Sequence, residues 1–307
     1  MAEGRWSAGI FGAGLGVAGG VALGALVLAP AAGVDGIPGI GGDDRGVRQE
    51  RDAERARADA ADGVLSAAED ELIAGTLKDV PVLVVVADGA DPEAADALEG
   101  ALGAAGAADA GRITLTGDFT SADGADRLGD LVAGVLPPGV ALDEARTTPG
   151  RHVGQALAPV LMLGADGQPQ LDGGERSLVL ETLRDEGYLT WEKGTLRPAS
   201  AVVVVSGPAD DGFAASVLAE FATALSEGPG GAVLAAPAES GGGVLAALDE
   251  VPGAEQVGRA AAIGDAAGRI AAVRALAEAA PAPVGGDRPV GGDRPVDAGS
   301  TQTAPPA

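Results

Sequence analysis

The sequence predicts an α/β protein that is preceded by a membrane-spanning helix and a short helical stalk. Two observations predict the α/β class. Runs of consecutive apolar, mostly β-branched residues at 80–87 and 202–205 are typical of strands whose two faces are both covered. Segments of helical composition alternate with these runs, and such alternation produces a mostly parallel sheet. A third observation, an uncharged stretch at residues 8–29, predicts the membrane-spanning helix.

Changes in composition along the chain predict six consecutive parts. They are a cytoplasmic N-terminus at 1–7, a transmembrane helix at 8–29, a Gly/Pro-rich linker at 30–46, a helical stalk at 47–79, an α/β domain at 80–280 and a disordered tail at 281–307. The tail repeats the six residues Val-Gly-Gly-Asp-Arg-Pro from Val284 and again from Val290, and such a composition buries almost no apolar surface.

The stretch at residues 8–29 is long enough to cross a bilayer. At about 1.5 Å per residue, a helix of this length covers the roughly 30 Å of hydrocarbon. A cleavable secretory signal is the alternative, because Arg5 precedes the apolar run and small residues at 29–32 follow it. The apolar part of a signal usually runs about 7–15 residues, and this one is longer. We therefore expect an uncleaved anchor in the lipid bilayer.

Glycines recur at every fourth position of this stretch, at Gly12, Gly16, Gly20 and Gly24. Glycines in this spacing lie along one ridge of a helix, where a second helix can approach closely. The alternative is that the 51 glycines of the chain produce the spacing without any pairing. We expect these four residues to pair transmembrane helices in a homo-oligomer.

Charges on either side of the stretch predict its orientation. Arg5 and the N-terminal amine precede it, and Asp35, Asp43 and Asp44 dominate the residues that follow. Because positive flanking charges favour the cytoplasmic side, we expect a single-pass protein whose main domain is extracytoplasmic.

The stalk is rich in Arg, Asp, Glu and Ala, which predicts a helix. Arg48 with Asp52 and Arg55 with Asp59 are four residues apart and can support a solvated helix. A heptad pattern places small residues at the core positions, namely Ala53, Ala56, Ala60 and Ala67. Both a coiled coil and a single juxtamembrane helix are compatible with this pattern.

Helices and strands alternate from residue 80 onward. Strands are predicted at 80–87, 112–116, 201–206 and 232–235, and helices at 92–105, 122–136, 175–186, 213–226 and 264–280. Asp91 and Pro92 form a typical helix start, and Pro137-Pro138-Gly139 a typical stop. The segment 156–163 fits either a helix or a strand. We expect a Rossmann-like three-layer domain with a mostly parallel sheet.

Composition excludes several function classes. A net charge of −25 opposes binding to nucleic acid, which requires clustered Lys and Arg to displace counterions. The sequence contains no cysteine, so disulfides, iron–sulfur clusters and thiolate metal sites are absent from it. With one histidine and two methionines, a soft Cu(I) site or a tetrahedral Zn site within one chain is not expected.

No residue pattern indicates catalysis. His152 is predicted in a loop before a helix, and no partner for it is identifiable. Ser206 is predicted to end a strand, because it lacks the Gly-x-Ser-x-Gly context of a nucleophile. Residues 240–243 (Ser-Gly-Gly-Gly) can cradle an anion but lack a phosphate-binding fingerprint. We predict no catalytic residue, no metal site, no cofactor and no enzymatic activity.

Several segments, in this order, resemble the mycobacterial copper transport protein B (MctB) family. The glycine-rich N-terminal span comes first, followed by Ala67-Ala68-Glu69-Asp70-Glu71-Leu72-Ile73-Ala74-Gly75 and the strand at 80–86. Later blocks are Gly111-Arg112-Ile113-Thr114-Leu115-Thr116, Gly187-Tyr188-Leu189-Thr190-Trp191-Glu192 and Gly264-Asp265-Ala266-Ala267-Gly268-Arg269-Ile270. The resemblance covers most of residues 8–280.

This resemblance implies a channel-forming protein of the cell envelope that exports or limits copper, and it implies copper ions as the cargo. It also implies a location in the outer membrane, whereas the residues themselves predict a single-pass anchor. The alternative function is a non-catalytic, membrane-tethered interaction or scaffold domain of the envelope.

Overall fold

A computed structural model describes residues 44–137, 140, 142–143, 145–208, 212–238 and 243–281. The predicted transmembrane helix with Gly12, Gly16, Gly20 and Gly24 lies outside the described residues, and so does all of the predicted tail at 281–307 except its first residue. Within the described ranges, no helix combines the length and the apolar character that crossing a bilayer requires.

The centre of the domain is a six-stranded sheet. Its strands are β1 (Pro81–Val86), β2 (Ala108–Leu115), β3 (Leu189–Thr190), β4 (Ala201–Val205), β5 (Gly231–Ala235) and β6 (Gly258–Ala260). Their order across the sheet is β3-β2-β1-β4-β5-β6. Every neighbouring pair is parallel except β2 and β3. The predicted α/β class and mostly parallel sheet are therefore confirmed.

Nine α-helices are present in the described part of the chain. They are α1 (Asp44–Ile73), α2 (Pro92–Ala104), α3 (Gly117–Thr120), α4 (Ala122–Gly134), α5 (Pro149–Leu161), α6 (Gly173–Asp185), α7 (Gly212–Ser226), α8 (Val244–Asp249) and α9 (Ala266–Ala279). Asp91 accepts a hydrogen bond from the Glu93 N–H at the start of α2, and Pro92 follows at the first helical position. The helix begins where these two residues predict it.

Helices cover both faces of the sheet. Alternate residues of each strand point to opposite faces, so each strand contributes side chains to both helical layers. Leu83 and Val85 of β1 pack with buried residues of α4, α5, α6, α7 and α8. Val82, Val84 and Val86 of the same strand pack with α2 and α9. The continuous apolar runs of the sequence thus arise because each strand has two buried faces.

Helix α1 packs on the same face as α9 at its C-terminal end. Ile73, its last residue, and Leu77 just beyond it are fully buried beside α2 and α9. Two polar contacts join α1 to α9: Asp62 Oδ1 accepts the Ala266 N–H at 2.8 Å, and Glu69 binds the Arg269 guanidinium at 2.7 and 2.8 Å. The second half of α1 is therefore part of the packed domain.

Several elements differ from the sequence prediction. Strand β2 begins four residues earlier than expected, and β3, β6, α3 and α8 were not predicted. These elements are short or rich in Ala and Gly, so they carry a weak periodic signal. The ambiguous segment 156–163 forms the end of α5, after which Met162 makes an isolated bridge to Ala199.

Small residues allow α5 and α7 to pack closely. A Cβ atom at Gly154 would lie 2.5 Å from the Ala224 Cβ and 2.8 Å from the Phe221 carbonyl oxygen. Such distances are too short for any side chain, so glycine is needed where the two helices cross. Alanine and glycine therefore replace large side chains in part of this core.

Candidate functional site

The strand order places a candidate ligand site at the carboxyl ends of β1 and β4. The chain runs from β1 outward through β2 to one edge, and then from β4 outward through β5 and β6 to the other. Connections on the two sides therefore diverge at the boundary between β1 and β4. In open α/β sheets, ligands bind in the crevice that forms at such a point.

A cavity of about 340 Å³ occupies this position, and we call it the carboxyl-edge crevice. It is lined by residues that follow four neighbouring strands: Gly89, Asp91 and Ala94 after β1, Val205 to Pro208 at the end of β4, Pro237 and Ala238 after β5, and Ala262 to Asp265 after β6. Small-molecule sites typically measure roughly 300–1,000 Å³ and have mostly apolar walls with few polar groups. The carboxyl-edge crevice has these properties.

Two glycines bring the loops after β1 and β4 into direct contact. Gly89 has a φ of +76°, which favours glycine because other side chains are strained there. A Cβ atom at Gly207 would lie 2.5 Å from the Gly89 carbonyl carbon and 2.9 Å from the Ala90 nitrogen. The shape of the crevice at the β1–β4 boundary therefore depends on glycine at both positions.

Ser206 directly follows β4, as predicted, and its hydroxyl is unpaired. Its N–H donates to the Ala235 carbonyl oxygen at 2.8 Å, which fixes its backbone beside β5. The residue is 2% exposed, and its Oγ has no hydrogen-bond partner among the described residues. Ser206 is therefore an unsatisfied polar group in the wall of the crevice. A buried hydroxyl without a hydrogen bond lowers the free energy of unfolding by about 1–3 kcal/mol.

Helix α1 holds another wall of the crevice through Arg269. The Nη1 of Arg269 donates to the Gly264 carbonyl oxygen at 2.8 Å, and Gly264 lines the crevice. The Glu69 carboxylate, which binds the same guanidinium, raises the pKa of Arg269 above its ordinary value. The loop between β6 and α9 is therefore fixed by a residue of α1.

A second cavity, of about 600 Å³, lies between α2, β2 and the segment around Trp191. Arg112 Nη1 donates to Asp96 Oδ1 at 2.6 Å and lies 3.4 Å from Glu99 Oε1. Glu99 Oε1 is buried and has no hydrogen bond to the described residues, and burial raises the pKa of Glu99 although Arg112 partly opposes the shift. This cavity is therefore bordered by an ion cluster in which Arg112 binds Asp96 and lies beside the Glu99 carboxylate.

We predict that Glu99→Gln stabilises the protein at neutral pH and not in acid. The pKa of Glu99 is raised in the folded state, so its charge opposes folding once the pH exceeds the unfolded value of 4.5. The penalty is absent below that pH, where both states are protonated. Urea unfolding across a pH series measures the difference, with Glu181→Gln on an exposed position of α6 as the control. A glutamine variant that is less stable at neutral pH would contradict the prediction.

The histidine and the internal methionine lie at opposite ends of α5, in its first turn and just beyond its last residue. His152 lies in the first turn of α5 rather than in the predicted loop, and its Nε2 is 3.2 Å from the Asp143 carbonyl oxygen. Met162 is fully buried. Among the described residues, no group of three or more His, Cys, Asp or Glu side chains is arranged to hold a metal ion.

Arg151 is a buried cation that sequence reasoning did not identify. It is 2% exposed, and its Nη2 contacts the Glu227 carboxylate.

Residues 240–242 of the predicted anion loop lie outside the described residues, and Gly243 forms the N-cap of α8. Asp62, Glu69 and Ser206 matter because of contacts across the fold, and only the position of Ser206 after a strand gave a sequence signal.

The sequence of the chain is similar to one family model and to proteins of mycobacteria. The sequence model of the family described as "Copper transport outer membrane protein, MctB" matches residues 8–286. "Copper transporter MctB" of Mycobacterium tuberculosis strain H37Rv is 30% identical over 192 residues, which are 61% of each chain. The protein of the same name from Mycobacterium leprae is 31% identical over 151 residues, 46% of this chain and 48% of the relative. The chain thus spans about three fifths of the first of these relatives.

Proposed function

The chain belongs to the MctB family, and on that premise we propose that it is a membrane-tethered component of copper homeostasis in the cell envelope. The observation that carries this proposal is the match of the family over nearly the whole chain, together with relatives that are named copper transporters. The proposed role is to export copper or to limit its amount in the cell. It is a non-catalytic role.

The proposed mechanism does not require a tight copper site within one chain. Cu(I) prefers thiolate, thioether and imidazole ligands, and the sequence offers no Cys, one His and two Met. Carboxylates are abundant, but they are poor ligands for a soft ion. Copper therefore passes along a path formed by several copies of the chain, or it is handed to a partner protein that binds it.

The proposed anchor is the helix at residues 8–29, with the α/β domain on the extracytoplasmic side. A single helix encloses no path for an ion, so a pore requires several copies of it or another protein. Gly12, Gly16, Gly20 and Gly24 are where such copies meet in this proposal, because missing side chains permit close helix contact.

A cell that lacks this gene is expected to retain more copper than the parent strain when copper is supplied. Total cell copper is measured by mass spectrometry after growth in copper-supplemented medium, and a plasmid copy of the gene restores the parental amount. Unchanged copper in the deletion strain would contradict the copper proposal. That result would favour the second candidate, a tethered interaction or scaffold domain, which the docking of α1 on the domain supports.

The same measurement of cell copper tests the role of the four ridge glycines separately from that of the whole protein. Leucine at Gly12, Gly16, Gly20 and Gly24 keeps the segment apolar but fills the ridge. Leucine at Ala18 and Ala22 adds bulk to the opposite face and serves as the matched control, since residues are spaced by about 100° around a helix. We expect the four-leucine variant not to restore copper levels and the control to restore them. Restoration by both variants would argue against helix pairing through these glycines.

A further inference from the structure

We propose that the carboxyl-edge crevice binds a small uncharged molecule that carries hydroxyl groups, with the size of a sugar or a nucleoside. This site is independent of copper handling, and it is assigned from the geometry of the α/β domain. Its position, its unpaired hydroxyl and the charges of its walls each contribute to the assignment.

The position satisfies the topological rule for ligand sites in open α/β sheets. The crevice lies outside the carboxyl ends of β1, β4, β5 and β6, at the boundary where the connections diverge. Its volume of about 340 Å³ fits a monosaccharide or a nucleoside, and it is too small for a dinucleotide to be enclosed. Backbone hydrogen bonds from Ser206 to Ala235 and from Ile263 to Ala236 fix the walls on both sides.

Ser206 supplies an independent indication of a ligand. Its hydroxyl is buried and has no hydrogen-bond partner among the described residues, although its N–H is bonded to the Ala235 carbonyl oxygen. Buried polar groups are normally paired, and exceptions require an explanation. A ligand hydroxyl in the crevice provides the missing partner.

The charges of the walls favour an uncharged ligand over an anion or a metal ion. Among the described residues that line the crevice there is no Lys, Arg or His, and the ionisable ones are Asp91 and Asp265. An anion is therefore repelled. A cation is not favoured either, since Asp91 caps the N-terminus of α2 and Asp265 interacts electrostatically with Arg269. Both carboxylates keep lone pairs that can accept hydrogen bonds from ligand hydroxyls.

The test is equilibrium dialysis of the full-length protein, held in detergent, against four labelled probes at millimolar concentration. Adenosine and methyl glucoside are the uncharged probes, and inorganic phosphate and tetramethylammonium are the charged ones. We expect at least one uncharged probe to bind with one site per chain, and the charged probes to bind more weakly. Failure of both uncharged probes to bind, or stronger binding of a charged probe, overturns the proposal.

Two variants assign the binding to the crevice. A Cβ atom at Gly264 meets no atom within 4 Å, so Gly264→Leu starts from open space and adds bulk at the crevice wall. It is expected to weaken binding at least about tenfold. Gly134→Leu is the matched control, because Gly134 also has open space around it but lies at the end of α4. Equal binding by Gly264→Leu and the unchanged protein overturns the assignment.

Ser206→Ala provides a second variant that does not depend on added bulk. It removes an unpaired hydroxyl, so the fold is expected to persist, and thermal unfolding monitored by circular dichroism verifies this. We expect weaker binding of the uncharged probe with an unchanged number of sites. Unaltered affinity in this variant contradicts the role given to the hydroxyl and, with it, the proposed recognition of the ligand.

Discussion

Replacing Arg269 with alanine is expected to lower the free energy of unfolding by about 3–5 kcal/mol. The side chains of Arg269 and Glu69 are 12% and 10% exposed, and they form a two-point ion pair between α9 and α1. Removal of the guanidinium leaves the Glu69 carboxylate in a nearly buried position without its partner. The variant also loses the hydrogen bond to the Gly264 carbonyl oxygen. Urea unfolding monitored by circular dichroism measures the change.

Arg259→Ala is the matched control for this prediction. Arg259 also pairs with a carboxylate, that of Asp249, but the two side chains are 39% and 63% exposed. Exposed pairs contribute about 0–1 kcal/mol, because water screens the charges. We expect a small change in this variant. Similar losses in both variants would show that α1 is not held on the domain by the Glu69–Arg269 pair.

The second large effect is expected at Phe221 in the centre of α7. Phe221 and Phe119 are both fully buried, and their rings meet edge to face with centroids 5.3 Å apart. The chain contains only four phenylalanines, so this pair supplies much of the large apolar surface in that half of the core. Phe221→Ala removes the ring and leaves a cavity between α7 and α3, at an expected cost of about 3–5 kcal/mol.

The midpoint of urea unfolding measures this cost, and Leu178→Ala on α6 serves as the control. Leu178 is 63% exposed, so its truncation is expected to change stability by no more than about 0.5 kcal/mol. The small residues at the crossing of α5 and α7 limit how far the helices can move together to fill the cavity. A loss for Phe221→Ala as small as that for Leu178→Ala would mean that the core collapses around the missing ring.

Three of the four strands that the sequence predicted, β1, β4 and β5, have two buried faces. β1 (Pro-Val-Leu-Val-Val-Val) and β4 (Ala-Val-Val-Val-Val) are continuously apolar, and a strand covered on both faces requires this composition. The start of β2 (Ala108 to Gly111) and the edge strand β6 (Gly258–Ala260) are poor in β-branched residues. The two segments form strands because β2 pairs with the edge of β1 and β6 pairs with the edge of β5. Such pairing depends on the whole sheet and leaves no local sequence pattern.

The candidate site was only partly predictable. The end of β4 at Ser206 follows from the valine run before it, and the scarcity of soft metal ligands follows from composition. The crevice itself depends on which strands are neighbours. Because β1 pairs with the distant strand β4 as well as with β2, loops at residues 89, 207 and 264 meet at one point.

The sequence by itself determined the alternation of strands and helices and the family, because periodic patterns and motif order are local properties of the chain. Only the tertiary structure decided that the stalk helix docks on the domain. The ion pair that fixes it joins residues 200 positions apart, Glu69 and Arg269. An exposed acidic residue and a buried one look alike in a charged helix, and burial is set by the packing of all elements together.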